Sequence, residues 1–266
     1  MIAVWLLKVF GMENKKYAFF TAFFYSLIGI VSAALIFPKE GGLMAIAFAS
    51  ILCIPPLAKL LRKSANHEEL QAKKLALLRL IRSQADIFQL YFFIFLGVLA
   101  AYSLATFVLP LSLIQGLFTT QINIMNYIAG NTLSEFLAVI TLNNLIVFSI
   151  AFFISMIYGG GGVLFLIWNA SVWGVVITFF IKEIATGEGV VVLVQQAISF
   201  LPHLITEATA YIGAAIVGGV VAKAVLRERL FSVRFNRVLT KAAIFFVLGM
   251  ILTFIASFIE VMLFFS

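Results

Sequence analysis

Charge is scarce in this chain. Only 11% of its 266 residues are Asp, Glu, Lys or Arg, where a soluble domain carries roughly 25%. With 64% hydrophobic residues and a mean hydropathy of +1.15, a water-soluble globule is excluded and a polytopic membrane protein is expected. Cysteine occurs once, at Cys53 in an apolar run, which rules out an internal disulfide and points to a packed thiol. Histidine occurs twice, at His67 and His203, too few for a site built on imidazoles alone. No Pro/Gly/Ser-rich linker, low-complexity tract or visible repeat divides the chain, so 1–266 reads as a single integral membrane domain. Residues 1–10 are apolar at the start, but no small-residue cleavage pattern precedes the lysines, so no cleaved leader is expected.

What is abundant is apolar sequence in runs of about 20 residues, the length of a helical membrane span. Such runs occupy 17–37, 42–61, 87–110, 143–158, 163–181, 203–222 and 242–264. The expected fold is therefore an all-α transmembrane bundle of about seven spans. The run 190–201 is too short to cross unaided and reads as a re-entrant or interfacial helix ended by Pro202. The net charge of +7 would suggest nucleic acid in a soluble protein. Here the cations flank the spans, in clusters before the first, between the second and third, and between the last two. Seven crossings place all three clusters on one side, so no nucleic-acid partner is expected and the N-terminus is assigned to the cytoplasm of a cell membrane. Asn66-x-x-Glu69 resembles a capping box and opens an amphipathic cytoplasmic helix near 66–86. The segment near 114–140 lacks Lys and Arg, carries a second capping pattern at Thr132-x-x-Glu135, and reads as an outer interfacial segment open to an outside partner.

The polar residues inside these runs are few. His203 and Glu207 stand four apart, on one helix face, and Ala210, Ala214 and Gly218 continue that face. A carboxylate in hydrocarbon is costly and needs either a partner or a task. Three roles follow: metal ligation, proton or ion relay, or a hydrogen-bonded structural pair. A zinc site needs at least three protein ligands, and neither His67 nor Cys53 is placed to supply one, so no metal and no cofactor are expected. The structural pair is preferred, with Asn169 as the partner amide across a helix interface. Gly159, Gly160, Gly161 and Gly162 lack the Gly-Lys-Ser/Thr continuation of a phosphate loop, and Gly174 likewise reads as a close-packing position. Asn143 and Asn144 read as caps where a span begins at the interface, and Glu260 as a snorkelling or capping carboxylate near the outer headgroups.

Taken together, Asn143-Asn144, the glycine run, Asn169 to Gly174 and Pro202-His203-Leu204-Ile205-Thr206-Glu207 resemble the stage II sporulation protein M family over residues 142–222. The family pattern has Gly directly after the His, and here Leu204 follows His203. The pattern also has Gly after the central Asn, and this chain has Ala170. The resemblance implies a non-enzymatic membrane scaffold or assembly factor, with other membrane or extracytoplasmic proteins, or a second copy of the chain, as partners. Two other readings stand beside it. One is a proton- or ion-coupled transporter or channel using the His203/Glu207 site; the lesser one is an intramembrane hydrolase in which Glu207 activates water.

Overall fold

In the computed structural model, residues 15–38, 40–68, 85–128, 133–184 and 201–264 are described, and within them the chain forms helices without any strand. The helices are α1 (Lys15–Ile36), α2 (Gly41–Glu68), α3 (Ala85–Val108), α4 (Leu111–Leu117), α5 (Thr119–Ile128), α6 (Leu133–Tyr158), α7 (Val163–Ile184), α8 (Leu201–Arg227) and α9 (Val233–Phe264). Each of the seven expected spans overlaps one of these helices. Among the described residues, five stretches are long and apolar enough to cross a bilayer: Tyr17–Ile36, Ala85–Val108, Leu137–Tyr158, Leu201–Arg227 and Val233–Met262. The apolar stretches Gly41–Leu57 and Val163–Phe179 are shorter. Seventeen residues rise about 26 Å, a little under the roughly 30 Å hydrocarbon layer, which is why the count by length is five rather than about seven.

Two groups of helices make up the bundle. α1 packs on α2 and α3, and α3 packs on α7; α6, α8 and α9 pack on one another, with α8 also touching α3 and α7. Lipid tails supply no hydrophobic drive between helices, so close backbone approach matters more than side-chain bulk. Glycines make that approach at the joints. A Cβ on Gly97 of α3 would sit 2.3 Å from the Phe19 carbonyl of α1, one on Gly174 of α7 2.7 Å from the Leu99 carbonyl of α3, and one on Gly218 of α8 2.4 Å from the Phe152 carbonyl of α6. Large apolar side chains such as Ile51, Phe107, Phe153, Val247 and Ile251 are exposed instead of buried, the reverse of a soluble protein and the surface that lipid requires.

Several local expectations change. α2 runs through Asn66 and His67 to Glu68, so Asn66 does not begin a helix; the rest of the amphipathic segment, 69–84, lies outside the described residues. α6 starts at Leu133, ten residues before Asn143, with Glu135 in its first turn. Asn143 and Asn144 are therefore interior to a helix and cap nothing; the acid of the preceding Thr-x-x-Glu pattern marks the start, while Thr132 lies outside the described residues. The run 190–200 also lies outside them, and Pro202 is the second residue of α8, where a missing N–H costs nothing. In the outer segment, α4 and α5 do more than lie along a surface. Ile114, Phe118 and Gln121 are fully buried, the Phe118 ring meets Tyr102 of α3 at 5.6 Å, and the Gln121 amide donates to the Gly42 carbonyl at 3.4 Å.

Gly159 adopts φ +68 between α6 and α7, a conformation that L side chains avoid, and the Gly162 amide donates to Ser155 Oγ at 2.8 Å. At the far end of α7, Lys182 Nζ donates to the Thr106 carbonyl at 3.1 Å and to that of Leu109. It thus caps the C-terminal carbonyls of α3, which have no partner within their own helix.

Candidate functional site: a buried histidine–carboxylate cluster

α8 places His203 and Glu207 one turn apart, and both point into the bundle, 0% and 4% exposed. Their contact is His203 Nε2 to Glu207 Oε2 at 3.2 Å. The other nitrogen, Nδ1, lies 2.8 Å from the Ala256 carbonyl on α9. A carbonyl only accepts, so Nδ1 carries a proton and donates it. One turn further along α9, Glu260 is 8% exposed and brings Oε2 to 3.3 Å from the same Nε2. Nε2 therefore lies between two carboxylate oxygens, close to both and in linear hydrogen-bond alignment with neither. Trp173 of α7 stacks obliquely on the imidazole, with ring centroids 5.0 Å apart and planes at 56°.

Glu207 has further donors. Trp173 Nε1 donates to Oε2 at 2.9 Å, and Tyr211, one turn on in α8, donates its hydroxyl to Oε1 at 2.8 Å. Both oxygens are thus occupied, the arrangement that a buried carboxylate requires. α6 joins through Asn144, which is buried, donates to Ser257 Oγ of α9 at 3.2 Å and has its amide within hydrogen-bonding reach of Glu260. Asn143, exposed beside it, turns its amide back to Asn144 Oδ1 at 3.2 Å. Ser257 passes its own proton to the Thr253 carbonyl at 3.1 Å. Four helices, α6 to α9, meet at this set of polar groups.

Asn169 is not one of them. Its amide donates to the Phe165 carbonyl of its own helix at 2.9 Å, a partner available to any mid-helix Asn. The donor to Glu207 sits one turn later on the same helix, at Trp173. Two other residues were missed from sequence. Tyr211 stands four residues after Glu207, on its face of the helix. Glu260 is an acid in an apolar span, subject to the same cost as Glu207, and it is buried rather than snorkelling.

The remaining small residues line the joint that holds the cluster. Ala210, Ala214 and Gly218 are buried on α8, and the Gly162 position lies against Ala215, an added Cβ there falling 2.7 Å from that side chain. Among the described residues no group of three or more His, Cys, Asp or Glu has a metal-holding arrangement.

Comparison with known proteins gives one match. The family model for stage II sporulation protein M matches residues 87–263, wider than the 142–222 stretch and reaching from α3 to the end of α9, Glu260 included. No curated protein and no solved structure matches the chain.

Proposed function

This chain belongs to the stage II sporulation protein M family, and from that premise we propose that it is a non-enzymatic membrane scaffold or assembly factor. The observation that carries the reading is how the cluster spends its polar atoms. Glu207 takes a donor on each oxygen, and His203 is divided between a backbone carbonyl and two acids. Such a site resists separation of its helices. Interhelical hydrogen bonds in membranes contribute about 0.6 kcal/mol on average, whereas removing one partner of a buried ion pair costs about 3–5 kcal/mol. The cluster therefore acts as a lock, holding α6–α9 in one arrangement on which partner proteins or a second copy assemble. We place the scaffold in a cell membrane, with seven crossings and a cytoplasmic N-terminus. The shorter stretches of α2 and α7 count as spans because that assignment keeps the basic clusters on one side.

Proton- or ion-coupled transport is the second reading, favoured by one feature: three ionisable side chains meet at His203 Nε2. Purified protein in vesicles loaded with a pH or ion reporter separates the two. On the scaffold reading, wild type and Glu207→Gln are equally silent, and the variant loses thermal stability. Flux through wild type that Glu207→Gln abolishes would overturn the lock.

A further inference from the structure

The turn between α8 and α9 combines three features that the polar cluster does not explain. It is strongly basic: from Lys223 to Lys241 there are six cations and one acid, Glu228, and Arg229, Arg234 and Arg237 are exposed. It is also apolar at its tip, where Leu226, Leu230, Phe231 and Val233 are all exposed. And it is strained: Phe231 has φ 63, a left-handed conformation that costs free energy for a bulky side chain.

That strain recovers little inside the protein. Phe231 is 82% exposed, and its ring partner is Phe235, with centroids 6.4 Å apart. The backbone is held in place deliberately. Asn236 donates its amide to the Phe231 carbonyl at 3.3 Å, and Ser232 Oγ accepts the Phe235 amide at 3.2 Å. Two side chains thus fix a conformation whose main effect is to project an aromatic ring out of the molecule. Beside it, Val233, Asn236, Arg237, Thr240 and Lys241 line a shallow hollow of about 400 Å³ on one face of α9.

We infer that this turn is a binding element for anionic phospholipid, with Leu230 and Phe231 in the acyl boundary and the arginines on headgroup phosphates. Position supports it, because the turn joins two helices of membrane-crossing length and so lies where the hydrocarbon gives way to headgroups. An aromatic ring favours that depth, and each Lys or Arg near an anionic leaflet adds attraction. Arg237 and Lys241, flanking the hollow, give a phosphate two cations on one helix face. The inference stands whether the chain is scaffold or transporter.

The test uses the full chain in nanodiscs of phosphatidylcholine, with or without phosphatidylglycerol. Lipid retained on extraction is measured by mass spectrometry. Wild type retains phosphatidylglycerol above its bulk fraction. Changing Arg229, Arg234 and Arg237 to Gln lowers that enrichment by about fivefold for each arginine lost. In a Phe231→Trp reporter, brominated lipids quench the indole and aqueous acrylamide does not. Phe231→Gly relieves the strain, so it unfolds at a higher temperature in neutral detergent yet retains less phosphatidylglycerol. The inference fails if the arginine variant keeps wild-type enrichment, if the reporter stays open to acrylamide in bilayers, or if cross-linking at position 231 joins two chains.

Discussion

Tyr211 and Thr209 lie two positions apart on α8 and differ in what their hydroxyls do. Tyr211 donates to buried Glu207, while Thr209, half-buried, donates to the Ile205 carbonyl of its own helix. Tyr211→Phe therefore leaves a buried carboxylate short of a donor, at a cost of about 1–3 kcal/mol. Thr209→Val is expected to stay within about 0.5 kcal/mol of wild type. Denaturant titration of the purified protein in micelles measures both. Equal effects would show that the hydroxyl of Tyr211 does nothing for Glu207. At this scale the sequence was half legible. The i, i+4 spacing of His203 and Glu207 exposes their shared face, and Tyr211 follows from the same rule one turn on. Glu260 did not follow, since a lone acid near the end of a span fits snorkelling as well as burial. Asn169 was the expected donor to Glu207, and Trp173, one helical turn on, is the actual one; an indole N–H is easily overlooked as a donor because its ring reads as bulk.

At the scale of elements, the joints between helices are set by missing side chains. Gly218 and Gly213 are five residues apart on α8, but an added Cβ at Gly218 meets the Phe152 carbonyl of α6, and at Gly213 it meets nothing within 4 Å. Gly218→Val should push α8 from α6 and destabilise the bundle by about 1–3 kcal/mol or more. Gly213→Ala should be neutral or slightly stabilising, because alanine is the better helix former by roughly 1 kcal/mol. Thermal unfolding of the two variants side by side checks the assignment. The helices themselves were readable from the length of the apolar runs, but their ends were not. α6 begins ten residues before Asn143 because the stretch from Leu133 is apolar enough to stay helical without a terminal signal at the asparagines. The capping of α3 by Lys182 was not legible, because it depends on a helix far away in sequence.

For the whole molecule, the proposed seven-crossing arrangement makes a prediction that sidedness can check. In a Cys53→Ala background, Leu113→Cys on α4 and Arg229→Cys in the α8–α9 turn lie at exposed positions. An impermeant thiol reagent applied to intact cells should label the first and spare the second. Labelling of both, or of the second alone, would require a different path through the bilayer. Composition made the all-helical, membrane-like character legible, since hydropathy reports what each segment is dissolved in, while the expected count of about seven crossings stands against five stretches of crossing length. Which helices touch was hidden, because in lipid the contacts depend on small residues scattered through sequences of uniform greasiness.

The histidine sits near the start of α8 and its second acid near the end of α9, which orders events during biogenesis. In order of synthesis, the imidazole and carboxylate of α8 precede Glu260 of α9. Trp173, made earlier, can shelter Glu207 at once; His203 has no backbone acceptor until α9 arrives. The polar set is therefore completed only by the last helix, whose packing brings the Ala256 carbonyl and the Glu260 carboxylate to His203.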